Sequence, residues 1–320
     1  MLKIGYHASH EQFSPSDLLR YAEIAEKSGF GLITSSDHFH PWSEIESHSG
    51  FAWSWLGAAM QAIHLEFGII TAPAPRYHPA IVAQAVATLN QMFDNRLWIA
   101  AGSGQALNEN INGDFWPDKQ TRNERLVESV SIMRRLWDGQ EVTQYGHVNV
   151  VEARLYTLPT ATPKVFGAAL SEKTAGWLAS WSDGLITVNH PQEKLQKLAA
   201  AYRAGNPSGE LALKVQVSYA KDLKTAEKLA WENWRNNILG GETQAMLSHP
   251  KLFDEAASFV RIEDMKHHVI LADGADALIS ALKKYIAMGF TRITLHNVNR
   301  DQIGFLELMR SAVLPSFQKV

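Results

Sequence analysis

The sequence predicts an α/β protein, a (β/α)₈ TIM barrel with insertions, built as one domain over residues 1–320. Three observations point there. Strand and helix signals alternate along the whole 320-residue chain. No shift in composition marks a boundary, and Gly205-Asn206-Pro207-Ser208-Gly209 reads as an ordinary surface turn. A short motif also recurs where helices return to strands. Strictly alternating units make a parallel sheet, because parallel strands need a crossover. Eight such units suit a closed barrel better than a doubly wound sheet, and no Gly-x-Gly-x-x-Gly turn follows the first strand.

Leu2–Ala8 is the first expected strand. Ser14 and Pro15 then open a helix as N-cap and first helical residue, and Gly29 ends it. Gly31–Ser36 and Phe67–Ala72 are the next strands. In the helix His78–Phe93, Val82, Val86, Leu89 and Phe93 share one face. Leu97–Ala101 is the fourth strand, followed by the helix Glu124–Trp137. The second half adds the strands Lys164–Ala169, Gly184–Val188, Leu211–Tyr219 and Arg292–Val298. Its helices are Ser171–Trp181, Gln192–Arg203, Leu223–Ile238, Ala275–Met288 and Gln302–Leu314. Lys27-Ser28-Gly29-Phe30 and Ala287-Met288-Gly289-Phe290 are two copies of the recurring motif, with Gly ending the helix. His40–Trp53 and Leu239–Met265 read as insertions, and long loops at strand C-termini are where such barrels build active sites.

Bulk properties exclude several classes. The net charge is -3, without a basic stripe, which argues against nucleic acid or a membrane surface as partner. There is no cysteine, so disulfides, thiolate zinc sites and a cysteine nucleophile are out. The first residues carry no apolar signal segment and no stretch approaches a membrane span. The expectation is a cytoplasmic enzyme with a small-molecule substrate.

Three strand ends carry chemistry-bearing residues. Ser36-Asp37-His38-Phe39-His40-Pro41-Trp42 follows the second strand. An acid, two imidazoles and an indole there can position a substrate and move a proton near neutral pH. A metal site or a capped turn is the bland alternative, and metal is the weaker one because no third ligand is apparent. Gly102-Ser103-Gly104-Gln105-Ala106-Leu107-Asn108-Glu109 follows the fourth strand. Its glycines allow close approach of a planar ligand, and Gln105 and Asn108 offer both donors and acceptors. Ala168-Ala169-Leu170-Ser171-Glu172 is the third, where Ser171 caps a helix whose free N–H groups suit an anion, or form a plain cap. His190 and His296 stand out among 13 histidines by lying at strand ends.

These segments, with Gly5-Tyr6-x-Ala8-Ser9-x-Glu11-Gln12-Phe13, Arg76-Tyr77-His78-Pro79-Ala80 and Asp183-Gly184-x-Ile186-Thr187, resemble the luciferase-like superfamily over nearly the full chain. The nearest resemblance is to its deazaflavin-dependent glucose-6-phosphate dehydrogenase group. The resemblance implies a homodimeric luciferase-like barrel with an isoalloxazine-type ring over the strand C-termini. By position it makes His38, Trp42 and Gln105 catalytic. It gives Asp37, Ile69, Ile70, Ser103, Gly104, Asn108, Ala169, Leu170 and Ser171 to the cofactor. Ile69-Ile70 takes the place of the family's non-prolyl cis peptide beneath the ring. Thr187, His190, Gln244 and His267 fall on the family's sugar-phosphate site.

Two departures alter what is carried over. Gln105 stands where the dehydrogenases have a proton-donating glutamate, and an amide cannot exchange a proton at neutral pH. His190, Gln244 and His267 stand where the sugar-phosphate site has two lysines and an arginine, so glucose 6-phosphate is not expected. A related subgroup with the same segments is thought to use ordinary flavin. The sequence is therefore read as an FMN-dependent oxidoreductase, possible monooxygenase chemistry included. The alternatives are a coenzyme F420-dependent dehydrogenase with another donor, and a non-catalytic flavin-binding protein. A metal-dependent hydrolase is a distant third, and no residue is assigned to a metal.

Overall fold

A computed structural model describes residues 1–73 and 75–317. It contains the strands β1 Lys3–Ala8, β2 Leu32–Ser36, β3 Glu66–Thr71, β4 Leu97–Ala101, β5 Val142–Gln144 and β6 Val150–Ala153. These are followed by β7 Val165–Ala168, β8 Gly184–Val188, β9 Glu210–Tyr219, β10 Ile270–Ala272 and β11 Arg292–Asn297. Eight of them close into a parallel barrel in the order β1-β2-β3-β4-β7-β8-β9-β11 and back to β1. They are the eight strands expected from the sequence. Helices pack around this barrel as its outer layer.

Local signals account for much of the detail. Ser14 Oγ accepts from the Asp17 N–H at 3.2 Å, and Pro15 opens the helix Pro15–Lys27. Gly29 and Gly289 have φ of 94° and 90°, the left-handed conformation that the recurring helix-ending glycine supplies. Four elements lacked a readable signal. The helix Ala52–Ala62 is apolar on most of its faces, so no polar stripe reveals its period. β5 and β6 form a short antiparallel hairpin outside the barrel. β10 pairs only with the last three residues of β9, Val217–Tyr219. The insertion from Leu239 carries the helices Gly241–Met246 and Pro250–Ala256. Helix limits shift too: Asp118 caps a helix that starts at Lys119 rather than Glu124, and the last long helix passes at Met309 into a π-turn.

Strict alternation along each strand separates two cores. Ile33, Phe67, Ile69, Ile99, Val165, Leu185, Leu211 and Leu213 face the helices. Leu32, Trp98, Ala100, Phe166, Ile186 and Ala212 fill the barrel interior, with Ile70 and Ala168 above them. Trp98 and Phe166 meet at 4.6 Å between ring centroids. They take the space that Gly68 and Gly184 leave: a Cβ on Gly68 would lie 2.3 Å from the Trp98 ring, and one on Gly184 2.4 Å from Phe166. Burying each ring contributes about 1.5–3 kcal/mol. Below them, at the strand N-termini, Lys3, Glu66, Arg292, Glu210 and Lys164 form a chain of ion pairs that closes the barrel floor. This layer covers the interior at the strand N-termini, opposite the C-terminal mouth.

Candidate active site at the barrel mouth

The chain leaves β2 through Ser36 into Asp37, which is 3 % exposed and densely held. Thr71 Oγ1 donates to Asp37 Oδ2 at 2.7 Å, and the Tyr77 hydroxyl to Oδ1 at 3.0 Å. Arg76 Nη2 lies 3.4 Å from the same carboxylate and donates to the Asp37 carbonyl at 2.9 Å. The Arg76 N–H donates to Glu109 Oε2 at 2.8 Å. Burial pushes the Glu109 carboxyl up to about 7, with Arg76 opposing the shift. Asn108 Oδ1 accepts from the Phe39 N–H at 2.9 Å and from the His40 N–H at 3.3 Å. His40 Nδ1 reaches the Leu107 carbonyl at 2.7 Å. The two strand-end segments therefore lock together, and Asn108 and His40 shape the His38 loop.

His38 points from that loop toward Glu11, which follows β1. Its Nδ1 lies 3.5 Å from Glu11 Oε1, and the side chains are 13 % and 2 % exposed. Glu11 Oε2 accepts from Ser9 Oγ at 2.9 Å and Ser36 Oγ at 2.8 Å. Burial alone would raise the Glu11 carboxyl, but His38, Lys214 and the Ser36 hydrogen bond bring it down to about 2. Burial lowers the His38 pKa, against a raising effect of Glu11. His38 Nδ1 has no hydrogen-bond partner among the described residues, but the facing Glu11 carboxylate favours the proton on Nδ1 and so leaves Nε2 as a base. Trp42 stacks tilted on His38 at 4.8 Å and meets Phe253 of the inserted helix at 5.4 Å. Ser43 Oγ donates to Asp254 Oδ1 at 2.5 Å, so both insertions close over the same side of the mouth.

The platform beside His38 suits a planar cofactor. Ile70 and Ala168 form an apolar surface over the packed interior. At its edge stands the partly exposed turn Gly102–Gln105, whose Gly104 has φ of 82°. Ser103, Gln105 and the amide nitrogen of Asn108 are polar groups there. Ile69 is buried in the outer core, so only Ile70 of that pair lies on the platform. At the other end, the Ala169 N–H is used by the Ile186 carbonyl. Leu170 is 42 % exposed, and Ser171 Oγ caps Thr174. The ring end fits an isoalloxazine-type group well, and the anion end less richly.

The four residues carried over as substrate ligands do not join His38. Thr187 is buried with Oγ1 unpartnered, between the interior residues Ile186 and Val188, so alternation turns it outward. His190 lines a groove of about 310 Å³ between the helices Gln192–Gly205 and Ala275–Ala287, on the outer surface. Gln244 donates to the Asn237 carbonyl at 2.7 Å, and His267 is exposed. In their place the interior offers His7, His296 and Lys214. His7 meets Thr34 Oγ1 at 2.9 Å and His296 meets Gln12 Oε1 at 2.7 Å. Glu11, Arg76 and Tyr77 stood in recognisable segments without an assigned role. Lys214 gave a usable signal, a lysine at an inward position of a buried strand. No group of three or more potential ligands capable of holding a metal occurs among the described residues.

A family model described as luciferase-like monooxygenase matches residues 2–292. The chain is 32% identical, over 100% of its length and 99% of the relative's, to the F420-dependent glucose-6-phosphate dehydrogenase of Mycobacterium tuberculosis strain H37Rv. It is 31% identical over 100% and 99% to the enzyme of that name from Segniliparus rotundus. Among solved structures, an F420-dependent secondary alcohol dehydrogenase in complex with an F420-acetone adduct superposes with a TM-score of 0.91, at 31% identity and 98% coverage of both chains. A Baeyer-Villiger monooxygenase component in complex with FMN shares the fold at a TM-score of 0.72 and 14% identity. The relatives at 31% and 32% identity are thus named as F420-dependent, the cofactor that the sequence reading places second.

Proposed function

The chain belongs to the luciferase-like monooxygenase family, and from that premise we propose that it is a dehydrogenase using a deazaflavin of the coenzyme F420 type to oxidise a secondary alcohol. The observation that carries this reading is the Glu11–His38 pair at the edge of an apolar platform, with Trp42 across from it. When bound, the deazaflavin supplies the hydride acceptor. Ile70 and Ala168 would support its ring, and Ser103, Gln105 and Asn108 would meet its polar edge. Ala169, Leu170 and Ser171 lie toward its phosphate. His38 Nε2 would take the hydroxyl proton of the alcohol, with Glu11 holding the tautomer that leaves Nε2 free. Trp42, backed by Phe253, excludes water from the same side.

One observation favours FMN as a second reading. Gln105 holds the ring-edge position with a neutral amide, which can hydrogen-bond but cannot supply a proton. Titration of the cofactor-free protein with both compounds in one buffer separates the readings. Binding of coenzyme F420 at least about tenfold tighter than FMN, a difference near 1.4 kcal/mol, supports the first. Tighter FMN binding with reduction by a nicotinamide donor supports the second. Failure to bind either overturns both.

A further inference from the structure

Strand β9 turns Leu211, Leu213, Val215 and Val217 toward the helices and Ala212 into the barrel interior. The same alternation aims Lys214 inward, between Val188 of β8 and Thr294 of β11. Among the described residues Lys214 makes no ion pair and no side-chain hydrogen bond. Its nitrogen lies 5.9 Å from the ring centroid of Trp234, which also packs edge-on against His296. The carboxylate that shares the interior does not neutralise it by contact, because Glu11 is taken up by Ser9, Ser36 and His38. Burial lowers the Lys214 pKa to about 8, with Glu11 and Glu46 opposing, so the group is still mainly charged at neutral pH. Burial also keeps His7 and His296 neutral. Other cations at this end are committed: Arg76 to Asp37 and Glu109, Arg300 to the carbonyls of Gln12 and Ile45.

Lys214 is only partly exposed, and an ammonium held largely out of water without a partner is costly, a cost that a ligand with one negative charge removes. We propose that Lys214 is the substrate-recognising cation of this site and that the alcohol oxidised here carries a single carboxylate. One lysine among neutral imidazoles complements a monoanion, and it does not match the dianion of a sugar phosphate. The side chains nearest it in the strands and the following helix, Val188, Ile186 and Trp234, are apolar and suit a short apolar chain rather than a second charged group. The substrate is then a short hydroxycarboxylate, oxidised to its oxo acid. This assignment rests on the dehydrogenase reading above.

The test compares wild type with Lys214→Met, which removes the charge at similar volume. The probes are lactate and 3-hydroxybutyrate against the neutral alcohols 2-propanol and 2-pentanol. In cofactor-reduction assays the kcat/KM ratio of hydroxy acid to neutral alcohol should fall about 10- to 100-fold, the loss of one charge-assisted hydrogen bond. Calorimetric titration of lactate and 3-hydroxybutyrate into both proteins reads binding without turnover. Binding to wild type that weakens by a similar factor in Lys214→Met supports the proposal even if no alcohol is oxidised, in which case the dehydrogenase reading alone falls. A ratio unchanged by the substitution, or wild type that neither binds nor prefers the hydroxy acids, overturns it. A cooperative unfolding transition with a midpoint near that of wild type verifies that the variant folds.

Discussion

Replacing Glu11 by Gln isolates what the buried carboxylate does for His38. At 3.5 Å, unit charges in an effective dielectric near 20 interact by about 5 kcal/mol. That is an upper bound, because the amide dipole and entering water recover part of it. The sign follows from the direction of the effect: Glu11 raises the His38 pKa, so its removal lowers it further. In alcohol oxidation the active form is neutral His38, so the acid limb of the kcat/KM profile should move to lower pH. The plateau should also drop, by about 10- to 100-fold, since a less basic imidazole without a fixed tautomer accepts the proton less well. The assay is cofactor reduction followed by absorbance between pH 4 and 9, with Glu11→Asp as a variant that retains the charge. An acid limb that stays in place or moves upward in Glu11→Gln would refute the role given to this pair.

Three further outcomes are expected. His38→Ala should retain cofactor binding, measured by fluorescence titration, and lose about 10²- to 10⁴-fold in turnover; undiminished turnover removes His38 from the chemistry. Gly68→Ala should destabilise the fold by about 1–3 kcal/mol in urea unfolding, because the new methyl group meets the Trp98 ring inside a filled barrel; an unchanged midpoint would mean that the interior is less tightly packed than described. Burial raises Glu109 from its ordinary 4.5 to about 7 in the folded state, so its contribution to stability is greatest below 4.5 and declines as pH rises through 7. Glu109→Gln should flatten that part of the stability profile, and an identical pH dependence in both proteins would contradict the buried, uncharged-leaning environment.

How far the sequence reveals this molecule differs between its parts. The eight barrel strands were readable because each is short, apolar and closed by a turn or cap signal, and Gly29 and Gly289 announce their turns. The helix Ala52–Ala62 was not, since apolar residues on most sides erase the 3.6-residue period. At the site, Asp37, His38, Trp42 and Gln105 were legible as clustered polar residues at strand ends. Asn108 was found but with an incomplete role, because its capping of the Phe39 and His40 N–H groups depends on a loop conformation that no local pattern specifies. Thr187, His190, Gln244 and His267 were placed by position alone. A one-residue difference in strand phase is enough to turn Thr187 away from the interior. Lys214 offers a signal, a lone lysine at an inward position of β9, but partial alternation leaves that strand's phase ambiguous until the barrel closes around it.

The mouth is divided by chain order. The proton-handling pair, the Asp37–Arg76–Glu109 network and the ring-edge turn all come from β1 to β4 and their following loops. Lys214 comes from β9, and the insertion that covers Trp42 lies later still. On the readings proposed above, the proton-handling pair and the ring edge come from one half of the barrel and the substrate cation from the other, joined at the β4–β7 and β1–β11 seams, with Ala168 of β7 completing the ring platform. Exchanging β9 and the Leu239–Met265 insertion, with Phe253 and Asp254 kept for their contacts to Trp42 and Ser43, should reassign which alcohols enter while leaving the Glu11–His38 pair in place. A barrel arranged in this way can change its diet without relearning its chemistry.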